Sequence, residues 1–164
     1  MGVTGLAASL LGSESVDVVA YLISLFLYSI AAAVILPIPV EALLLLGTGI
    51  DPAIKAIVLG LGKAVGAIVV FFVGNKVNPF LERWMERHPI GQRVLKLLEA
   101  FVRRTGWVGL TILLAIPFMS DTAVNYFYSL LNEEGHAIGR WYFVLANFIG
   151  GIARAYLFLW LFVR

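Results

Sequence analysis

Two carboxylates stand four residues after prolines inside apolar runs: Glu41 after Pro37 in LPIPVE, and Asp121 after Pro117 in IPFMSD. A carboxylate in hydrocarbon costs a few kcal/mol unless it is paired or wetted, so two of them after matched breaks point to a polar site within a membrane protein. The chain also carries bases inside apolar sequence, Lys63 in LGLGKAVGAIVVFFVG and Arg154 in NFIGGIARAYLFLW. Two chemistries are open to such a set. The charges can form salt bridges that tether the bundle, or a base can receive an anionic group, a role suited to arginine's planar fork, while a carboxylate exchanges protons. Asn125, Asn147, Thr122 and Ser120 add polar groups near the second acid, although asparagine in a membrane bundle commonly joins helices. Pro37, Pro39 and Pro117 remove backbone donors and restrict their neighbours, so helices are expected to end there as re-entrant breaks. Irregular backbone at membrane depth is tolerated only against protein or water, which favours loops lining a cavity over merely kinked helices.

The elements that must position these residues are membrane helices. Of 164 residues, 61% are hydrophobic and only 13% charged, with a mean hydropathy of +0.95, against ~45–50% apolar and ~25% charged residues in a soluble domain. With no cysteine and only His88 and His136 as histidines, disulfides, thiolate metal sites and a histidine metal cluster are excluded, and no cofactor is expected. GKAVG lacks the spacing of a phosphate loop, and the glycines around it are read as helix-packing positions. An enzyme is not expected, nor is a nucleic-acid partner.

Apolar stretches run over 18–50, broken at Pro37 and Pro39, then 54–73, 107–131, broken at Pro117, and 141–163. A spanning helix needs ~20 apolar residues, so the second and fourth stretches fit single crossings. Seven of the twelve Lys/Arg residues (Lys76, Arg83, Arg87, Arg93, Lys96, Arg103 and Arg104) lie in one central stretch, which is cytoplasmic by the positive-inside rule. Residues 78–104 turn amphipathic there and read as an interfacial linker. The N-terminus, with Glu14, Asp17 and no base, is expected outside and retained rather than cleaved.

The linker divides a single membrane domain (1–164) into half-repeats 18–77 and 105–164 with one internal order: proline break, acid, turn, then a Gly-containing helix with a base. The separations are 22 residues from Glu41 to Lys63 and 33 from Asp121 to Arg154, and the NEEGHAIGRW insert accounts for most of the difference. The expected fold is all-α, with two inverted half-repeats. Each is a re-entrant hairpin plus a spanning helix around a midplane site, an architecture common in transporters. The first stretch is also long enough for a full spanning helix before its break.

PIPVE, VGNKV, RTGWVGLTILLAIPFMSDTAV and GGIARAYLFLW, in that order, resemble the DedA or VTT-domain superfamily over roughly residues 30–160, and its YqaA-like branch most closely. The resemblance implies two re-entrant loops facing one another, with Glu41 and Asp121 as the loop acids and Arg154 as the last-helix base. Where mainstream members carry arginines flanking the second-loop proline, this chain has Leu114 and Ser120. The implied function is movement of a phospholipid or polyprenyl-phosphate-type lipid across the plasma membrane of a prokaryote by a multi-pass protein, with proton coupling as an option. Expected partners are therefore membrane lipids and protons, and a homo-oligomer is compatible with this reading. RTGWVGLTILLAIP also resembles small multidrug-export proteins, which makes a proton-coupled exporter the alternative. A structural assembly factor with purely tethering charges is the other.

Overall fold

The computed structural model describes residues 3–35, 40–47, 49–85, 89–132 and 137–162, so Pro37 and Pro39 lie outside the described residues. The described chain is all-helical: α1 (Val3–Val34), α2 (Glu41–Leu44), α3 (Pro52–Met85), α4 (Pro89–Ala115), α5 (Asp121–Leu130) and α6 (Arg140–Phe162). Three stretches among them are long and apolar enough to cross a membrane, Asp17–Val34, Pro52–Gly74 and Arg140–Phe162. Three candidate crossings therefore stand where two single crossings were expected, because α1 runs unbroken to Val34. Ile54, Ile57, Leu61, Val65, Ile68 and Phe72 recur at helical spacing on α3 and are exposed, as befits a lipid-facing stripe.

Proline and glycine set the element ends. Pro52 and Pro89 open α3 and α4, where a missing N–H costs nothing. α3 runs past Gly74 to Met85, so the first part of the 78–104 segment continues the long helix, and the amphipathic part begins at Pro89. Gly106 bends α4 with φ 55° and ψ −149°, a region essentially reserved for glycine, and separates the amphipathic segment from the apolar 107–115.

The packing direction follows from residues in contact. Gly60 approaches Phe148 and Ile152 while Phe71 packs edge-on against Phe143 at 5.5 Å, so α3 and α6 run antiparallel. Gly62 faces Phe26 and Ser29, and Gly66 faces Ile30 and Ala33, so α1 runs parallel to α3. Likewise Trp107 neighbours Tyr142 while Leu114 meets Gly150, so the end of α4 runs parallel to α6. Parallel neighbours need a returning connection, which is the segment 35–51 in the first half and 116–139 in the second. α1 and α3 thus share one direction, and the end of α4 and α6 share the opposite one. The apolar part of α4 and the ten-residue α5 are both too short to span ~30 Å of hydrocarbon at 1.5 Å per residue.

Glycines allow these close approaches. A Cβ at Gly62 would lie 2.6 Å from both the Phe26 carbonyl oxygen and Ser29 Cβ. Small residues at such crossings replace the hydrophobic driving force that helices lack in lipid. Gly62→Val is expected to push α1 off α3 at a cost of ~1–3 kcal/mol. Thermal melting in detergent checks this, and an unchanged midpoint would contradict the packing.

Two apolar clusters sit at opposite ends of the α3–α6 pair. One holds Leu25, Leu44, Leu59 and Phe158, and the other Phe71, Leu110, Tyr128 and Phe143. Between them lies the polar centre.

Candidate functional site

Lys63 is the middle residue of the apolar stretch Pro52–Gly74, with eleven residues on each side. At 1.5 Å per residue it stands about 16 Å from either end, the half-thickness of a bilayer's hydrocarbon. Four charges converge there: Glu41, Lys63, Asp121 and Arg154, each between 0 and 5% exposed. The two acids and two bases sum to zero charge.

Asp121 is the hub. Its Oδ2 lies 2.9 Å from Lys63 Nζ and its Oδ1 3.0 Å from Arg154 Nη2, so one carboxylate bridges the central bases of α3 and α6. Arg154 Nη1 is also 3.5 Å from Glu41 Oε1, which brings in the acid of the first half. Lys63 therefore pairs with the acid of the other half, and Arg154 reaches both acids.

The proline break explains why these side chains are needed. In an uninterrupted helix the Phe118 amide would donate to the Leu114 carbonyl four residues back. Pro117 ends that ladder. The two orphaned groups find the charged centre instead: Phe118 N donates to Glu41 Oε1 at 3.0 Å, and Arg154 Nε donates to the Leu114 carbonyl at 2.8 Å. Arg154 Nη1 also donates to the Met119 carbonyl at 3.0 Å. Phe118 is held at φ 62°, uncommon for a non-glycine residue, and its ring packs against Phe158 and Phe162. Ser120 then caps α5 by accepting from the Ala123 amide, and Thr122 Oγ1 donates to the Ala32 carbonyl at 2.7 Å. The end of α1, the start of α2 and the turn at Pro117 thus meet at one point.

Of the residues singled out by sequence, Glu41, Lys63, Asp121 and Arg154 form one cluster, and Pro117 shapes the turn beside it. Asn125 and Asn147 pair with each other: Asn125 Nδ2 donates to Asn147 Oδ1 at 2.9 Å, and Asn147 Nδ2 donates to the Phe143 carbonyl at 3.1 Å. They clasp α5 to α6 on the side of the cluster toward the start of α6. Glu41 Oε2 and Asn125 Oδ1 are buried and accept no hydrogen bond among the described residues. Each has an acceptor site open to a proton or donor.

Sequence reasoning passed over Lys55 and Tyr21. Lys55 is buried, donates to the Leu44 and Leu46 carbonyls at 3.2 and 2.9 Å, and lies 5.6 Å from the centre of the Tyr21 ring. Tyr21 in turn donates to the Leu43 carbonyl at 2.9 Å. Together they bind carbonyls at the C-terminal end of the four-residue α2, as polar side chains do at helix C-termini. The available signal was a lysine in the first turn of α3, close after the Asp51–Pro52 turn; its long stem reads equally well as an interfacial side chain. No group of three or more His, Cys, Asp or Glu that could hold a metal ion occurs among the described residues.

The family model described as VTT domain matches residues 36–163, well over half of the chain. No curated protein and no solved structure matches the chain.

Proposed function

The chain belongs to the VTT-domain family, the membrane-associated DedA proteins, and from that premise we propose that it moves a lipid with an anionic head across the bilayer. The observation that carries this reading is the buried, charge-neutral cluster of Glu41, Lys63, Asp121 and Arg154 halfway along the apolar stretch of α3. In this proposal the segments around Pro37 and Pro117 are re-entrant and enter from opposite faces. The parallel packing of α1 on α3 and of α4 on α6, each needing a returning connection, supports it. The Pro-x3-Asp order of the second hairpin and the final-helix Arg154 support a place in the YqaA-like branch, and the setting is the plasma membrane of a prokaryote.

Mechanistically, Asp121 occupies the position between Lys63 and Arg154 that a phosphate oxygen would take. An arriving anionic head competes with Asp121 for those bases while the acyl tails remain in lipid. Glu41 Oε1 keeps its hydrogen bond from the Phe118 amide as Arg154 turns toward the head. The chemistry is binding and release, with no bond made or broken, so the protein is proposed to be no enzyme.

Reconstitution into liposomes tests this reading. The protein is expected to speed the crossing of a fluorescent anionic phospholipid over protein-free liposomes. Movement of a soluble organic cation without lipid would favour the exporter. No movement of either would favour an assembly factor, a reading supported by the mutual pairing of all four charges.

A further inference from the structure

Arg140 opens α6 at the same end of the bundle as Phe72, two residues before the apolar stretch of α3 ends at Gly74. Its guanidinium carbon lies 5.8 Å from the centre of the Phe72 ring and 5.2 Å from that of Trp141. Two aromatic faces hold the cation at the rim of an open groove of about 210 Å³ lined by Ile68, Phe72, Arg140, Trp141 and Val144. Among the described residues no carboxylate forms a salt bridge with Arg140. Trp107 and Tyr142, both exposed, stand at the same level with rings 6.2 Å apart, as aromatic residues do at a membrane–water interface.

The groove is smaller than the ~300–1,000 Å³ that encloses a drug-sized ligand. Its occupant must therefore be a molecule largely held elsewhere, and its walls face the acyl region. Its one charge is positive, and it lies at the face carrying the basic stretch from Lys76 to Arg104. We propose that this groove between α3 and α6 binds an anionic phospholipid, with the phosphate at Arg140 and one acyl chain laid between Ile68, Phe72 and Val144. Arg140 is fourteen residues before Arg154 on the same helix, about 21 Å along its axis, so the site is distinct from the charged cluster. Binding there does not depend on translocation.

The test is native mass spectrometry of the full chain released from detergent micelles doped with phosphatidylglycerol or phosphatidylcholine. The wild type is expected to retain phosphatidylglycerol preferentially. Arg140→Gln should lower that retention about fivefold, the effect of one surface cation on an anionic lipid. Val144→Trp, which fills the groove, should lower retention of both lipids. Equal retention of the two lipids by the wild type would overturn the proposal. So would an Arg140→Gln protein with wild-type retention and melting, or inorganic phosphate that competes on equal terms with the lipid.

Discussion

Arg154→Ala is expected to cost ~3–5 kcal/mol of stability, because it leaves Glu41 and Asp121 buried with one base between them. For a chain of this size that lowers the melting midpoint by on the order of 10 °C. The loss exceeds charge alone, since the guanidinium also closes the backbone gap at Pro117 through the Leu114 and Met119 carbonyls. Arg154→Lys is therefore expected to melt well below the parent as well: an ammonium keeps the charge but lacks the planar fork that reaches two carboxylates and two carbonyls together. Thermal melting in detergent checks both variants. An Arg154→Ala protein that melts within about a degree of the parent would sink the structural role of the cluster.

The second large effect is a contrast between single and paired replacements. Lys63→Met leaves Asp121 and Glu41 sharing Arg154, and Asp121→Leu leaves Lys63 without an acid; each should destabilise by several kcal/mol. The double replacement removes one charge of each sign and leaves the Arg154–Glu41 pair neutral. Buried ion pairs exchanged for apolar residues of similar volume are often neutral or stabilising, so the double variant is expected to melt near the wild type. A double-mutant cycle on melting free energies then yields a coupling of at least ~2 kcal/mol. Additive losses would mean that the 2.9 Å pair is incidental.

The charged residues were legible in the sequence because a carboxylate or base inside a 20-residue apolar run has few bland explanations. Their pairing was legible only in part. Internal order sets Asp121 beside Arg154, which the fold keeps, and Glu41 beside Lys63, which it does not: the fold crosses the halves and places Lys63 on Asp121 and Glu41 near Arg154. That crossing depends on α3 and α6 lying antiparallel, which Gly60 and Gly151 permit and no local pattern encodes. The break at Pro117 was readable from proline chemistry; the bend at Gly106 was not, since a glycine inside an apolar helix usually means packing. Lys55 was hidden because its partners are backbone carbonyls, which leave no mark on composition. Asn125 and Asn147 were visible as polar residues with helix joining as one reading, but their pairing with each other follows only from the packing of α5 on α6.

The measurement that bears most directly on the function is the crossing rate of a fluorescent anionic phospholipid in liposomes carrying the Lys63→Met/Asp121→Leu protein. Because that variant is expected to keep its fold, loss of transport cannot be ascribed to unfolding. The proposed mechanism needs both bases and the carboxylate that yields them to the lipid head. It predicts that the double variant, with near-wild-type melting, slows crossing at least ~10-fold toward the protein-free rate, corresponding to ~1.4 kcal/mol or more in the barrier. A folded double variant that moves the lipid as fast as the wild type would contradict it.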